Sequence, residues 1–195
     1  MAKPELTDKT NSEFPIRGVN HLALVCKDMA RTVDFYTNVL GMPLIKTINL
    51  PNEMGQHFFF DMGNGDSLAF FWFPNAPEAA PGVASPAGIP GAGDLTTAHG
   101  SMNHIAFDID AERFDEAVEK LHAKGIKTSP VFNHDDSPMQ VSREMHPGVF
   151  VRSIYFQDPD GILLEFAAWT RVFSEADVSV APAKGKPVEL AATPR

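Results

Sequence analysis

The chain has 195 residues, 44% of them hydrophobic, and a formal charge of −9 at neutral pH, which suits one compact unit, or two small modules, with a real core. The acidic balance and the lack of any Lys/Arg cluster exclude a nucleic-acid-binding face. A polar start from Met1 to Glu13 and the absence of a long apolar run exclude a signal core and a membrane span, so the expectation is a soluble, cytoplasmic protein, and the single cysteine, Cys26, rules out a disulfide framework or a multi-thiolate metal site.

Residues 1–16 read as an N-terminal extension and residues 17–73 as a first module. It opens on the strand Val19-Asn20-His21-Leu22-Ala23-Leu24. Met29, Val33, Tyr36 and Leu40 then recur at helical spacing, closed by Gly41, with Pro43 beyond. Three strand-like stretches rich in aromatic and branched residues follow: Pro43 to Leu50, His57 to Met62 and Ser67 to Phe73. Residues 74–100 form a Pro/Gly/Ala-rich connection too long for an ordinary loop, either a flexible linker or a lid or oligomer contact.

Residues 101–172 repeat the first order of patterns. The strand Met102-Asn103-His104-Ile105-Ala106-Phe107 is followed by Phe114, Ala117, Val118 and Leu121 at helical spacing, closed by Gly125. Strands are predicted at Ile126 to Phe132, Phe150 to Phe156 and Ile162 to Trp169. Residues 173–195 lack periodicity and read as a flexible tail. The predicted fold class is α+β, with two β-α-β-β-β modules related by a pseudo-twofold axis.

The metal enters through the repeat. His21 and His104 stand at the same place in two copies of one strand. Aligning the last strands on Gly65 and Gly161 sets Glu165 opposite Ala69. Glu165 lies mid-strand among Leu163, Leu164, Phe166 and Ala167, where an unpaired carboxylate costs several kcal/mol and needs a partner. Two imidazoles and one carboxylate, with positions left open, make the facial set of a non-haem Fe(II) site, which Mn, Zn or Ni also accept. The alternative is two hydrogen-bonded core histidines and a carboxylate at a sheet rim.

These residues resemble the vicinal oxygen chelate superfamily of glyoxalases, bleomycin-resistance proteins and extradiol dioxygenases over about Arg17 to Val172. The resemblance implies two paired modules forming a curved mixed sheet around a metal site, with ligands from the first and last strands of each module, here His21, Ala69, His104 and Glu165. Alanine cannot coordinate, so the three-ligand pattern is closest to type I extradiol dioxygenases. His146, Tyr155, the turn Asp158-Pro159-Asp160-Gly161 and Glu165 are similar to the extradiol signature. By that resemblance His146 and Tyr155 line the pocket and hydrogen-bond the substrate or bound oxygen.

The chain departs from that pattern at Glu144 and, more seriously, at the entry to the last strand of the first module. Asp66 stands there in place of an acid–base histidine, and an ordinary Asp is a poor proton donor at neutral pH. His57, His99 and His134 are candidate substitutes, and Phe58, Phe60, Phe70, Trp72 and Phe150 are candidate pocket aromatics.

The leading expectation is an Fe(II) dioxygenase cleaving a small aromatic, catechol-like substrate with O2, with Tyr155, His146 and Asp66 as catalytic candidates. A metal-dependent lyase, isomerase or epimerase working through an enediolate is the second expectation. A non-catalytic binding protein is the third. Family resemblance implies a homodimer or higher homo-oligomer.

Overall fold

The computed structural model describes residues 6–7, 13 and 15–183; most of the expected N-terminal extension and the end of the expected tail lie outside them. Strand β1 (His21–Cys26) leads into helix α1 (Met29–Asp34), which starts where the Asp28 carboxylate accepts the Arg31 N–H at 3.1 Å. The helix then widens into a π-turn over Phe35–Val39, marked by the Leu40 N–H donating to the Phe35 carbonyl at 3.0 Å. Gly41, at φ +76°, turns the chain out of it.

Strands β2 (Leu44–Asn49), β3 (Gln56–Gly63) and β4 (Asp66–Trp72) complete a four-stranded sheet ordered β1-β4-β3-β2, with β1 and β4 parallel. The second module repeats the plan with β5 (Ile105–Asp108), α2 (Phe114–Ala123), β6 (Phe132–His134), β7 (Val151–Gln157) and β8 (Leu163–Trp169), ordered β5-β8-β7-β6. The fold class is thus α+β, as read from the repeat, with each module owning its sheet.

The predicted boundaries of β3, β4, β7 and β8 fall within one or two residues of those found. β6 is much shorter than expected because Pro130 has no N–H to give the ladder. Ser129 substitutes locally: its hydroxyl accepts the Tyr155 N–H at 3.0 Å and its N–H donates to the Tyr155 carbonyl at 2.8 Å.

Alternation sorts each sheet into two faces. One face packs under the helices: Leu68, Phe70 and Phe60 in the first module and Ile105, Phe107, Ile154, Phe156 and Leu164 in the second share one apolar core with Tyr36, Phe114 and Leu121. Burying each such side chain contributes about 1.5–3 kcal/mol. Phe60, Phe70 and Trp72, candidates for a pocket lining, belong to this core side instead, as does Phe58, whose register with Phe70 puts it on the same face.

Polar bonds stitch the modules together. The Lys27 N–H donates to Asp160 Oδ2 at 2.9 Å, and Tyr36 Oη donates to Asp158 Oδ2 at 3.2 Å, so the turn before β8 is clasped by the end of β1 and the first π-turn. No helix among the described residues is long and apolar enough to cross a membrane.

Candidate functional site

The parallel pairing of β1 with β4 sets Ser67 beside His21 and Ala69 beside Ala23. That of β5 with β8 sets Glu165 beside Ala106, two residues after His104. His21 and Ala69 therefore share the open face of the first sheet, and His104 and Glu165 the same face of the second. Ala69 and Glu165 occupy equivalent places, as aligning the two glycines implied.

Each histidine is held by the residue before it. His21 Nδ1 lies 2.8 Å from Asn20 Oδ1, and His104 Nδ1 lies 2.8 Å from Asn103 Oδ1. An amide oxygen only accepts, so Nδ1 carries a proton, and in a neutral imidazole Nε2 is then the lone-pair nitrogen that a metal ligand requires. The asparagines were visible in both copies of the strand, and the structure gives them this role.

His104 Nε2 lies 2.9 Å from Glu165 Oε2, whose side chain is only 6% exposed. A lone pair facing a carboxylate at that distance needs a proton or a cation between them. Of the three expected ligands the structure brings His104 and Glu165 together, an imidazole and a carboxylate of the kinds a divalent cation accepts, while His21 stands on the other sheet.

Tyr155 pairs with Glu165 across β7–β8 and stands edge-on to the His104 ring, centroids 5.8 Å apart. Burial, and after it the charge of Glu165, pushes its hydroxyl well above the usual phenol range, so it stays a protonated donor.

The other expected residues scatter. His21 is exposed on the first sheet, edge-on to Phe59 at 5.8 Å. Among the described residues, no group of three His, Cys, Asp or Glu side chains is close enough to hold a metal ion. Asp66 precedes Ser67, so alternation turns it away from the face of His21, toward Gly18.

His146 has both ring nitrogens engaged. Nδ1 accepts the Gly148 N–H at 3.1 Å, and Nε2 donates to Asp135 Oδ2 at 3.1 Å. His134 Nδ1 donates to the Gln140 carbonyl at 3.3 Å, between the rings of Phe132 and Phe150. His99 is exposed in the connection. His57 stacks on Phe71, centroids 3.6 Å apart, and touches Phe59 on the face of His21; its Nδ1 donates to the Phe70 carbonyl at 3.1 Å, leaving Nε2 as an acceptor.

A family profile described as Glyoxalase/Bleomycin resistance protein/Dioxygenase superfamily matches residues 18–166. The chain belongs to this superfamily. Its members are mostly metal-dependent enzymes and use divalent metals. The chain is 31% identical over 148 residues to the lactoylglutathione lyase of Escherichia coli O157:H7, covering 74% of this chain and 87% of that one. It is 26% identical over 113 residues to the putative ring-cleaving dioxygenase MhqE of Bacillus subtilis (strain 168), covering 56% of this chain and only 32% of that protein. Among solved structures, the fosfomycin resistance protein FosX of Listeria monocytogenes is similar at 26% identity and TM-score 0.51, covering 80% of this chain and 95% of that one.

Proposed function

We propose that this superfamily member is an Fe(II)-dependent, extradiol-type dioxygenase acting on a catechol-like substrate, with His21, His104 and Glu165 holding the metal. The observation that carries the reading is the constellation around Glu165: a buried carboxylate against a histidine whose other nitrogen is pinned, with the protonated Tyr155 beside both. A bound metal of this kind supplies a Lewis acid and a template for two vicinal oxygens and O2.

The ligand set closes between two copies of the chain. His21 stands on one sheet and the His104–Glu165 pair on the other, without meeting in a group of three. Val19, Val25, Ile45 and Ile48, on or beside the sheet that carries His21, are exposed apolar side chains that such a contact would bury. A twofold arrangement then yields two identical sites, each taking its first module from one copy and its second from the other.

Tyr155 donates a hydrogen bond to a substrate oxygen and thereby stabilises charge that develops there. His57 is the residue to which we assign proton removal, since its Nε2 accepts on the face of His21 whereas Asp66 turns away and His146 is engaged. The second reading, enediolate chemistry of the lyase or isomerase kind, is favoured by the aspartate at position 66 where extradiol enzymes have a histidine.

Anaerobic Fe(II) loading followed by O2 uptake on a panel of catechols tests the proposal. Stoichiometric O2 consumption with a yellow ring-fission product is expected. Bound metal without O2 uptake moves the assignment to lyase or isomerase chemistry, and failure to bind metal leaves the binding-protein alternative.

A further inference from the structure

The Pro/Gly/Ala-rich connection between the modules is a folded element. Its residues 88–94 close on themselves: the Gly88 N–H donates to the Asp94 carbonyl at 3.2 Å, and a Cβ on Gly88 would stand 2.6 Å from Gly93 Cα, so this approach of backbone to backbone needs glycine. Asp94 Oδ1 accepts the Thr96 N–H at 2.8 Å and sets the turn that follows.

The folded connection touches the site at two points. At its apex, Gly91 lies against Phe132, where a Cβ would stand 3.6 Å from the ring's Cζ, and Phe132 in turn meets Tyr155 with centroids 6.1 Å apart. At its end, Asn103 Nδ2 donates to the Leu95 carbonyl at 2.8 Å and reaches Thr97 Oγ1 at 3.4 Å. The oxygen of that same amide accepts from His104 Nδ1. One planar amide thus has its donor end on the connection and its acceptor end on the candidate metal ligand.

We infer that Asn103 is a positioning residue through which the connection between the modules holds His104, so that metal binding and the order of residues 88–97 are coupled. The inference rests on the proposed metal site. His104 binds a metal only with its ring turned so that Nε2 points to Glu165, and the Asn103 amide fixes that turn only while its own orientation is fixed by Leu95 and Thr97. Coupling runs both ways: ordering the connection raises metal affinity, and metal binding stiffens the connection. Asn20 makes the same bond to His21, and its backbone carbonyl accepts the Ser67 N–H at 3.0 Å, which ties it to its own sheet.

The test titrates the full chain with Co(II) and follows hydrogen exchange across residues 88–97. Asn103→Ala should weaken Co(II) binding by about 10–100-fold, the usual effect of removing a partner that orients a ligand. Asn103→Asp keeps an acceptor for Nδ1 but loses the donor that reaches Leu95, so it should weaken Co(II) binding by less than Asn103→Ala does while abolishing the Co(II)-induced slowing of exchange expected in the unsubstituted chain. Gly88→Ala, which alters neither a ligand nor Asn103, should weaken Co(II) binding and speed exchange together. Asn20→Ala should weaken binding and leave the Co(II)-induced slowing in place.

The inference is overturned if Asn103→Ala binds Co(II) as the parent does, if Asn103→Asp loses affinity as fully as the alanine variant, or if Co(II) leaves exchange across 88–97 unchanged. A parent chain that takes no Co(II) at all instead overturns the metal site itself.

Discussion

Asp158 offers a quantitative test of how the modules are clasped. It is buried at the turn before β8, where Oδ1 accepts the N–H groups of Asp160 at 2.8 Å and Ile162 at 2.9 Å, and Oδ2 accepts from Tyr36 at 3.2 Å. Burial outweighs these donors and raises its carboxyl from 3.8 to about 6. A raised carboxylate pKa means the folded state holds the proton more tightly than the unfolded chain. The stability it contributes is therefore full below the unfolded value and is lost as pH rises through about 6. The difference of roughly two units corresponds to about 3 kcal/mol lost once the group is ionised.

Asp158→Asn keeps an oxygen for the two turn N–H groups and offers its amide N–H to the Tyr36 oxygen, but never ionises. Urea denaturation should find this variant more stable than the parent at pH 8, by up to about 3 kcal/mol, with the two converging near pH 4. A variant that is less stable than the parent by the same margin at both pH values would refute the reasoning, because it would mean that the ionised carboxylate is fully compensated in the fold.

Further outcomes follow from the same geometry. Tyr155→Phe should bind Fe(II) as the parent does yet lose about 10–1,000-fold in kcat, as removal of a preorganised donor to developing charge does; metal analysis beside steady-state kinetics separates the two. His57→Gln should lower kcat while leaving metal content unchanged, which steady-state kinetics beside metal analysis checks. Gly55→Ala should destabilise the first module strongly in thermal melts, because a Cβ there would lie 1.9 Å from the Trp72 carbonyl oxygen, at a φ of +143°.

Much of this architecture was legible because it is written twice. The matching strands at His21 and His104, the helical spacing that ends at Gly41 and Gly125, and the aromatic alternation of β3, β4, β7 and β8 each carry a local period that the backbone must obey. The asparagine before each histidine was equally visible, yet its bond to Nδ1 links adjacent residues on a strand edge, which periodicity does not reveal.

Relations between elements were not legible. Nothing in the repeat says that His21 stands apart from His104 and Glu165, since that depends on how one module is set against the other. His146 matches a signature by spacing, and only tertiary contact shows Asp135 holding it. A composition rich in Pro, Gly and Ala suits a flexible linker, but the close approach of Gly88 to Gly93 uses the same glycines to fold the connection.

The most direct measurement of the central claim is metal content in complementation between two ligand variants. His21→Ala and Glu165→Ala should each retain no tightly bound Fe(II) alone. Mixed and re-equilibrated, they should regain about one ion per four chains, because half of the randomly formed dimers join an intact first module to an intact second one. Recovery at that level would establish a site built by two copies from His21, His104 and Glu165. A mixture that stays empty while the parent chain binds metal would contradict it.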